Sequence, residues 1–309
     1  MNDRLKGLIA APFTAMQPDG SLSLGLIQQQ AMRLAEDGVR GAFICGTTGE
    51  GLSLTTEERI QVAERWVKVA PKDLKVIVHV AHNSLGESRQ LAAHAQQIGA
   101  AAIATVGPTF FRPSSVEQLV DFCAATAEAA PGLPFYYYHI PVMTGIHLPM
   151  VEFLRLGSTR IPNLAGIKFT DENLMSYMQC LRFEDGRFNI LFGRDEILLA
   201  ALALGATGMV GSTYNYMAPL YHKVIDAFTA GDLDAARRWQ MHAIRIIAIM
   251  IRHGGLPANK AIMSLIGMDC GPVRPPLRNL TVKEFESLRE DLAQLGFPSQ
   301  WPLAPGDGQ

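Results

Sequence analysis

Apolar residues along this chain fall into short runs closed off by glycine, proline and asparagine. Between the runs lie longer stretches in which apolar positions recur every three or four residues. The runs predict strands over Leu8–Phe13, Gly41–Cys45, Lys75–Val80, Ala101–Val106, Pro134–His139, Leu164–Phe169, Asn189–Phe192 and Thr207–Gly211. The stretches predict amphipathic helices, among them 23–37, 55–70, 85–98, 115–130 and 172–182. Thr55 or Thr56 ahead of Glu57 and Glu58, and Ser115 two residues before Glu117, supply helix caps and first-turn acids. Eight near-continuous apolar strands, each followed by a helix, imply a parallel sheet covered by helices. Eight such strands close into a (β/α)8 TIM barrel of the α/β class, with an open doubly wound sheet as the competing arrangement.

After Ala218 the rhythm changes. Residues 219–230, 232–253, 257–267 and 281–295 read as helices, with Pro272, Pro275 and Pro276 breaking the chain between the last two. The expected organisation is a barrel over 1–218 carrying the active site and a C-terminal helical extension over 219–309 packed on it, ending in a frayed PLAPGDGQ tail.

Composition narrows the function classes. A barrel occupies about 250 residues, so 309 residues accommodate one barrel and an appendage. Hydrophobic residues at 48% and charged residues at 18% suit a large core and argue against a disordered chain. A net charge of −2 with no basic stripe speaks against nucleic-acid or anionic-membrane binding. The runs Ile197–Val210 and Ile244–Ile251 fall short of the roughly 20 apolar residues that cross a bilayer, and MNDRLKGLIAAPF lacks a signal peptide's long apolar region. Cys45, Cys123, Cys180 and Cys270 are far apart and form no C-x-x-C pair. The expectation is a soluble protein in the reducing cytoplasm.

One residue violates the pattern. In LAGIKFTDEN, Lys168 sits inside an apolar strand, where desolvation depresses an amine's pKa and makes it a nucleophile toward carbonyls. A structural ion pair is the alternative, but enclosed lysines in apolar strands are rare. Thr170, two positions on, faces the same side.

Other candidates lie where barrel strands end. GTTGEG at 46–51 offers two hydroxyls and free backbone N–H groups suited to a carboxylate, or is simply a tight turn. In FYYYHIPVMTG at 135–145, Tyr136 and Tyr138 point one way and Tyr137 the other; such a run also suits plain packing. In LFGRDE, Asp195 and Glu196 can bond substrate hydroxyls or start a helix. The glycines at 205, 208 and 211 do not fit the dinucleotide fingerprint. His79, His82 and His94 lack the carboxylate spacing to complete a metal set, and lone strand histidines read as satisfied core residues. Lys260 reads as solvated or structural, and no G-x-S-x-G elbow supports a serine hydrolase.

Taken together, GTTGE, Y-x-I-P-x-x-T-G, G-I-K-x-T and G-S-T-Y-N, in that order at the ends of strands two, five, six and eight, resemble the pyruvate-dependent class I aldolases. That family holds dihydrodipicolinate synthases and N-acetylneuraminate lyases, and the resemblance spans nearly the whole chain. FYYYHIP, LFGRDE, GATGMVGSTYNY and KAIM resemble most the branch that reversibly cleaves sialic acid to pyruvate and N-acetylmannosamine.

The resemblance implies Lys168 as the Schiff-base lysine and Tyr138 as the proton shuttle. It implies Thr47 and Thr48 at the pyruvoyl carboxylate, and Thr170, Gly193, Asp195, Glu196 and Ser212 at the sugar hydroxyls. It implies no metal and no diffusible cofactor, because the covalent imine on Lys168 is the electron sink. A homotetramer built from tight dimers is implied as well.

Two departures matter. Met143 stands where a synthase carries an arginine clamp for its second substrate's carboxylate. Phe110 and Phe111 stand where many members place a tyrosine from a neighbouring subunit, and a phenyl ring relays no proton. Other functions in play are a related aldolase for 2-keto-3-deoxygluconate, a dihydrodipicolinate synthase, and a silent barrel used for sensing or assembly. The intact lysine, tyrosine and threonine set argues against the last.

Overall fold

The computed structural model describes residues 4–298. Eight parallel strands close in chain order: β1 (Gly7–Ala10), β2 (Gly41–Ile44), β3 (Lys75–His79), β4 (Ala102–Thr105), β5 (Phe135–His139), β6 (Leu164–Phe169), β7 (Asn189–Phe192) and β8 (Gly208–Gly211), which pairs back onto β1. Covering helices are α1 (Leu26–Glu36), α2 (Thr56–Val69), α3 (Leu85–Gln97), α4 (Val116–Ala127), the short α5 (Pro141–Thr144), α6 (Met150–Arg160), α7 (Leu174–Arg182) and α8 (Leu198–Leu204). The closed barrel excludes the open sheet. Strand ends differ from the expected ones by a few residues; β1 stops at Ala10, short of Phe13, because Pro12 has no N–H for a ladder.

Local chemistry fixes the helix starts. Thr55 caps α2 and forms a capping box with Glu58, and Ser115 caps α4. Strand alternation then sorts the aromatics between two cores. Tyr136 and Tyr138 point into the barrel with Ile9, Phe43, Ile77, Leu191 and Val210, while Tyr137 points outward onto Phe153 of α6, ring centroids 4.7 Å apart. Burying a side chain the size of Phe43 contributes roughly 1.5–3 kcal/mol.

Strand β6 departs from plain alternation. Phe135 pairs with Leu164, but Tyr136 pairs with Gly166, so Ala165 is an extra residue that bulges. Leu164 packs in the outer core and Ala165 in the inner one, after which Gly166 and Lys168 face inward and Ile167 and Phe169 outward. Gly166 tolerates the bulge because a Cβ there would lie 1.8 Å from the Asn189 carbonyl oxygen.

Beyond β8 come α9 (Tyr214–Thr229), α10 (Leu233–Arg252), α11 (Leu256–Leu265) and α12 (Val282–Ala293). Helix α9 packs on β1 and α10, and α11 and α12 pack on α10. The division expected at residue 218 falls inside α9, and the helix expected from 219 begins at Tyr214. Pro219 removes one hydrogen bond, but burial of Tyr214, Tyr216, Met217, Leu220, Tyr221 and Val224 outweighs it. No helix among the described residues is long and apolar enough to cross a membrane. The tail PLAPGDGQ lies outside the described residues.

Candidate active site

Lys168 reaches the barrel interior from the upper part of β6, directly beside Tyr138 on β5, with which it is in register. It is 4% exposed. Its Nζ lies 3.4 Å from the Tyr138 ring centroid and 4.4 Å from that of Phe43 on β2. Burial pulls the amine's pKa below its ordinary value, opposed by Tyr138 and by the charge of Asp195. A larger fraction of the amine is therefore neutral at a given pH, as a nucleophile requires. Phe43 was not among the sequence candidates; its alternation in β2 signalled only core.

The loop after β2 brings Thr47 alongside. Its Oγ1 lies 3.2 Å from the Tyr138 hydroxyl. Thr47 is exposed to the mouth and Thr48 is buried, so the two hydroxyls differ in access. The turn is closed by the Glu50 N–H donating to the Thr47 carbonyl and the Gly51 N–H to that of Gly46. Thr14 Oγ1 donates to the Gly49 carbonyl from below, at 2.6 Å. His79 on β3 stands edge-on to Tyr138, its Nδ1 2.9 Å from the Cys45 carbonyl; burial and the Arg59 charge push its pKa down to about 3, so it is neutral.

Thr170 follows Lys168 on the same face, and its Oγ1 is buried without a protein partner. Gly193, at the end of β7, makes room for it: a Cβ at 193 would lie 2.0 Å from that oxygen. The Gly193 N–H donates to the Phe169 carbonyl at 2.8 Å, holding the two strand ends together.

Asp195 and Glu196 do start a helix, the 3-10 turn Asp195–Ile197 that runs directly into α8. The Asp195 carboxylate accepts from the Thr213 N–H at 3.0 Å and from Thr213 Oγ1 at 2.6 Å. Burial and then the charge of Glu196 raise its pKa to about 7, against the pull of the Thr213 hydrogen bonds and of Lys168. Glu196 is half-buried, with Arg194 at 3.9 Å. Ser212 Oγ accepts from Asn259 Nδ2 at 3.0 Å.

Thr213, Gln240 and Asn259 were missed by the sequence reading. Gln240 of α10 is buried, donates to the carbonyls of Asp195 and Glu196 at 3.1 Å each, and accepts from Leu199 N–H. For Gln240 and Asn259 the only signal was polarity inside the apolar faces of α10 and α11, while Thr213 lay unremarked within the G-S-T-Y-N motif. Lys260, read as solvated or structural, is 2% exposed and paired with Glu50. Met143 lies exposed on α5. His82 accepts from Ser84 N–H and His94 pairs with Glu64, apart from His79.

The chain is similar to the N-acetylneuraminate lyases of Rattus norvegicus and Homo sapiens, at 43% and 42% identity, each covering 98% of this chain and 97% of that protein. Among solved structures it resembles the N-acetylneuraminate lyase of Proteus mirabilis, with a TM-score of 0.93 and 41% identity over 96% of this chain and all of that one. The sialic acid aldolase of Aliivibrio salmonicida is similar at TM-score 0.93 and 42% identity, covering 96% of this chain and 98% of that one. The model of the dihydrodipicolinate synthetase family matches residues 4–295, and the chain belongs to that family.

Proposed function

We propose that this chain is a Schiff-base aldolase that reversibly cleaves N-acetylneuraminate to pyruvate and N-acetylmannosamine. The observation that carries the mechanism is the enclosed Lys168 amine against Tyr138, whose hydroxyl is beside Thr47. The neutral amine adds to the C2 ketone of the open-chain sugar acid, and loss of water gives a protonated imine. With the substrate carboxylate held at Thr47 and Thr48, Tyr138 first gives its proton to the departing water, and its oxygen then takes the proton from the C4 hydroxyl as the C3–C4 bond breaks. The bonding electrons pass into the imine, giving an enamine and the free aldehyde. Protonation at C3 and hydrolysis release pyruvate and restore the amine. The imine is the electron sink, so the reaction as written calls for no further cofactor.

Thr170, Gly193, Asp195, Glu196 and Ser212 form the sugar-facing side. Met143 in place of a charged clamp disfavours a synthase's second substrate. The four cysteines, all free and buried, suit the cytoplasm. Phe110 and Phe111 after β4, 78% and 84% exposed, suit a contact between subunits of a homotetramer.

The test is reduction with borohydride in the presence of pyruvate, with the adduct mapped by mass spectrometry. An adduct at Lys168 is expected; its absence overturns the mechanism. Comparison of N-acetylneuraminate with 2-keto-3-deoxygluconate then checks the substrate, and preference for the latter overturns that assignment.

A further inference from the structure

Glu50 closes the GTTGEG turn in a left-handed backbone conformation, φ 52° and ψ 30°, that non-glycine residues rarely adopt. Its side chain leaves the barrel mouth altogether and meets the C-terminal helices. Lys260 of α11 donates to Glu50 Oε1 at 2.9 Å, with both side chains 1% exposed, and its Nζ also donates to the Pro272 carbonyl at 2.6 Å. The Arg274 N–H donates to Glu50 Oε2 at 2.7 Å. The Arg274 guanidinium in turn grips both carboxylate oxygens of Glu58 in the α2 cap and the Gly20 carbonyl. Each charged group is thus satisfied, and none of these atoms is directed at Lys168.

Burying two charges is costly, and a well-packed apolar pair of the same size often serves stability as well or better. What an ion pair adds is direction. Here the direction is transmitted: Glu50 N–H donates to the Thr47 carbonyl at 3.0 Å, and Thr47 Oγ1 lies 3.2 Å from the Tyr138 hydroxyl. Between Lys260 and the tyrosine that meets the reacting oxygen lie two residues, joined by short polar contacts.

We infer that Glu50 and Lys260 are positioning residues, which hold the turn of Thr47 and Thr48 from the C-terminal extension so that it receives the pyruvoyl carboxylate. This rests on the aldolase reading of those threonines. It assigns the extension a share in binding one half of the substrate, the pyruvate half, and none in binding the aldehyde half through this contact.

Glu50→Gln/Lys260→Met removes both charges together and strands neither. In the condensation direction, pyruvate and N-acetylmannosamine are varied in turn. KM for pyruvate is expected to rise about tenfold or more, with KM for the aldehyde changed by less than about twofold, because displaced supporting contacts act on what they orient. An unchanged pyruvate KM, or an equal rise in both, overturns the inference. Glu50→Gln alone, which keeps the size and one acceptor, carries the same comparison where the double variant does not fold. Borohydride trapping of the wild type is run in parallel. No adduct at Lys168 there overturns the aldolase reading and the inference with it, whereas a wild-type adduct beside unaltered variant KM values overturns the inference alone.

Discussion

Around Lys168 few polar groups are tied down: the amine lies over rings beside Tyr138, whose hydroxyl shares a hydrogen bond with Thr47 at 3.2 Å. At the ends of β7 and β8 they are already engaged, Asp195 with Thr213 and Ser212 with Asn259. On the proposed reading, the first region forms bonds with an incoming molecule. The second is built to keep its own shape, presenting a surface whose hydrogen bonds are fixed beforehand. On the proposed aldolase reading, chemistry and selectivity therefore depend on different kinds of contact, and substitutions should separate them.

The largest effect belongs to the amine. Lys168→Met should abolish the pyruvate adduct and lower cleavage on the order of 10⁴-fold or more; retained turnover in a steady-state assay would make the two regions equivalent in role. Tyr138→Phe should come next, slowing cleavage about 10²- to 10⁴-fold while the trapped adduct persists. Loss of the adduct as well would move the tyrosine's work back to imine formation. Gly193→Ala brings a methyl onto the Thr170 hydroxyl, and urea unfolding should report a loss of about 1–3 kcal/mol. Adding Thr170→Ala should recover part of it.

Asp195→Asn should have the smallest effect on rate, about a tenfold fall in kcat/KM for the sugar acid with pyruvate trapping unchanged. Its distinctive reading is the pH dependence of stability. A carboxyl raised from its ordinary value to about 7 binds a proton more tightly folded than unfolded. It therefore contributes stability at low pH that is lost as pH climbs from near 4 through about 7. Removing the acid should flatten that part of a melting-temperature profile, and an unaltered slope would show that Asp195 is not the group responsible.

The sequence revealed the first region far better than the second. Lys168 stood out because a charge inside an apolar run conflicts with its surroundings, whereas alternation only set Tyr136 and Tyr138 on one face and the family resemblance singled out Tyr138. Strands and most helices were readable because each buries a continuous stripe. Asp195 and Thr213 are 18 positions apart, and Asn259 and Ser212 47 apart. Such pairs exist only once the barrel has closed and the extension has folded back, and no local pattern encodes them. The start of α9 was missed in the opposite sense: Pro219 lies inside the helix, its local penalty overridden by the buried residues around it.

The extra residue in β6 has a consequence for anyone altering this barrel. Counted from the strand's entrance at Leu164, strict alternation would turn Lys168 toward the helices; counted back from its exit, the parity holds only as far as Gly166. Ala165 works as a phase slip that lets entrance and exit disagree. Deleting it leaves the downstream frame intact, whereas a one-residue insertion or deletion between Gly166 and Lys168 exchanges the amine for a phenyl ring at the mouth. For loop grafts and strand transplants, the safe seam in this strand lies below residue 166.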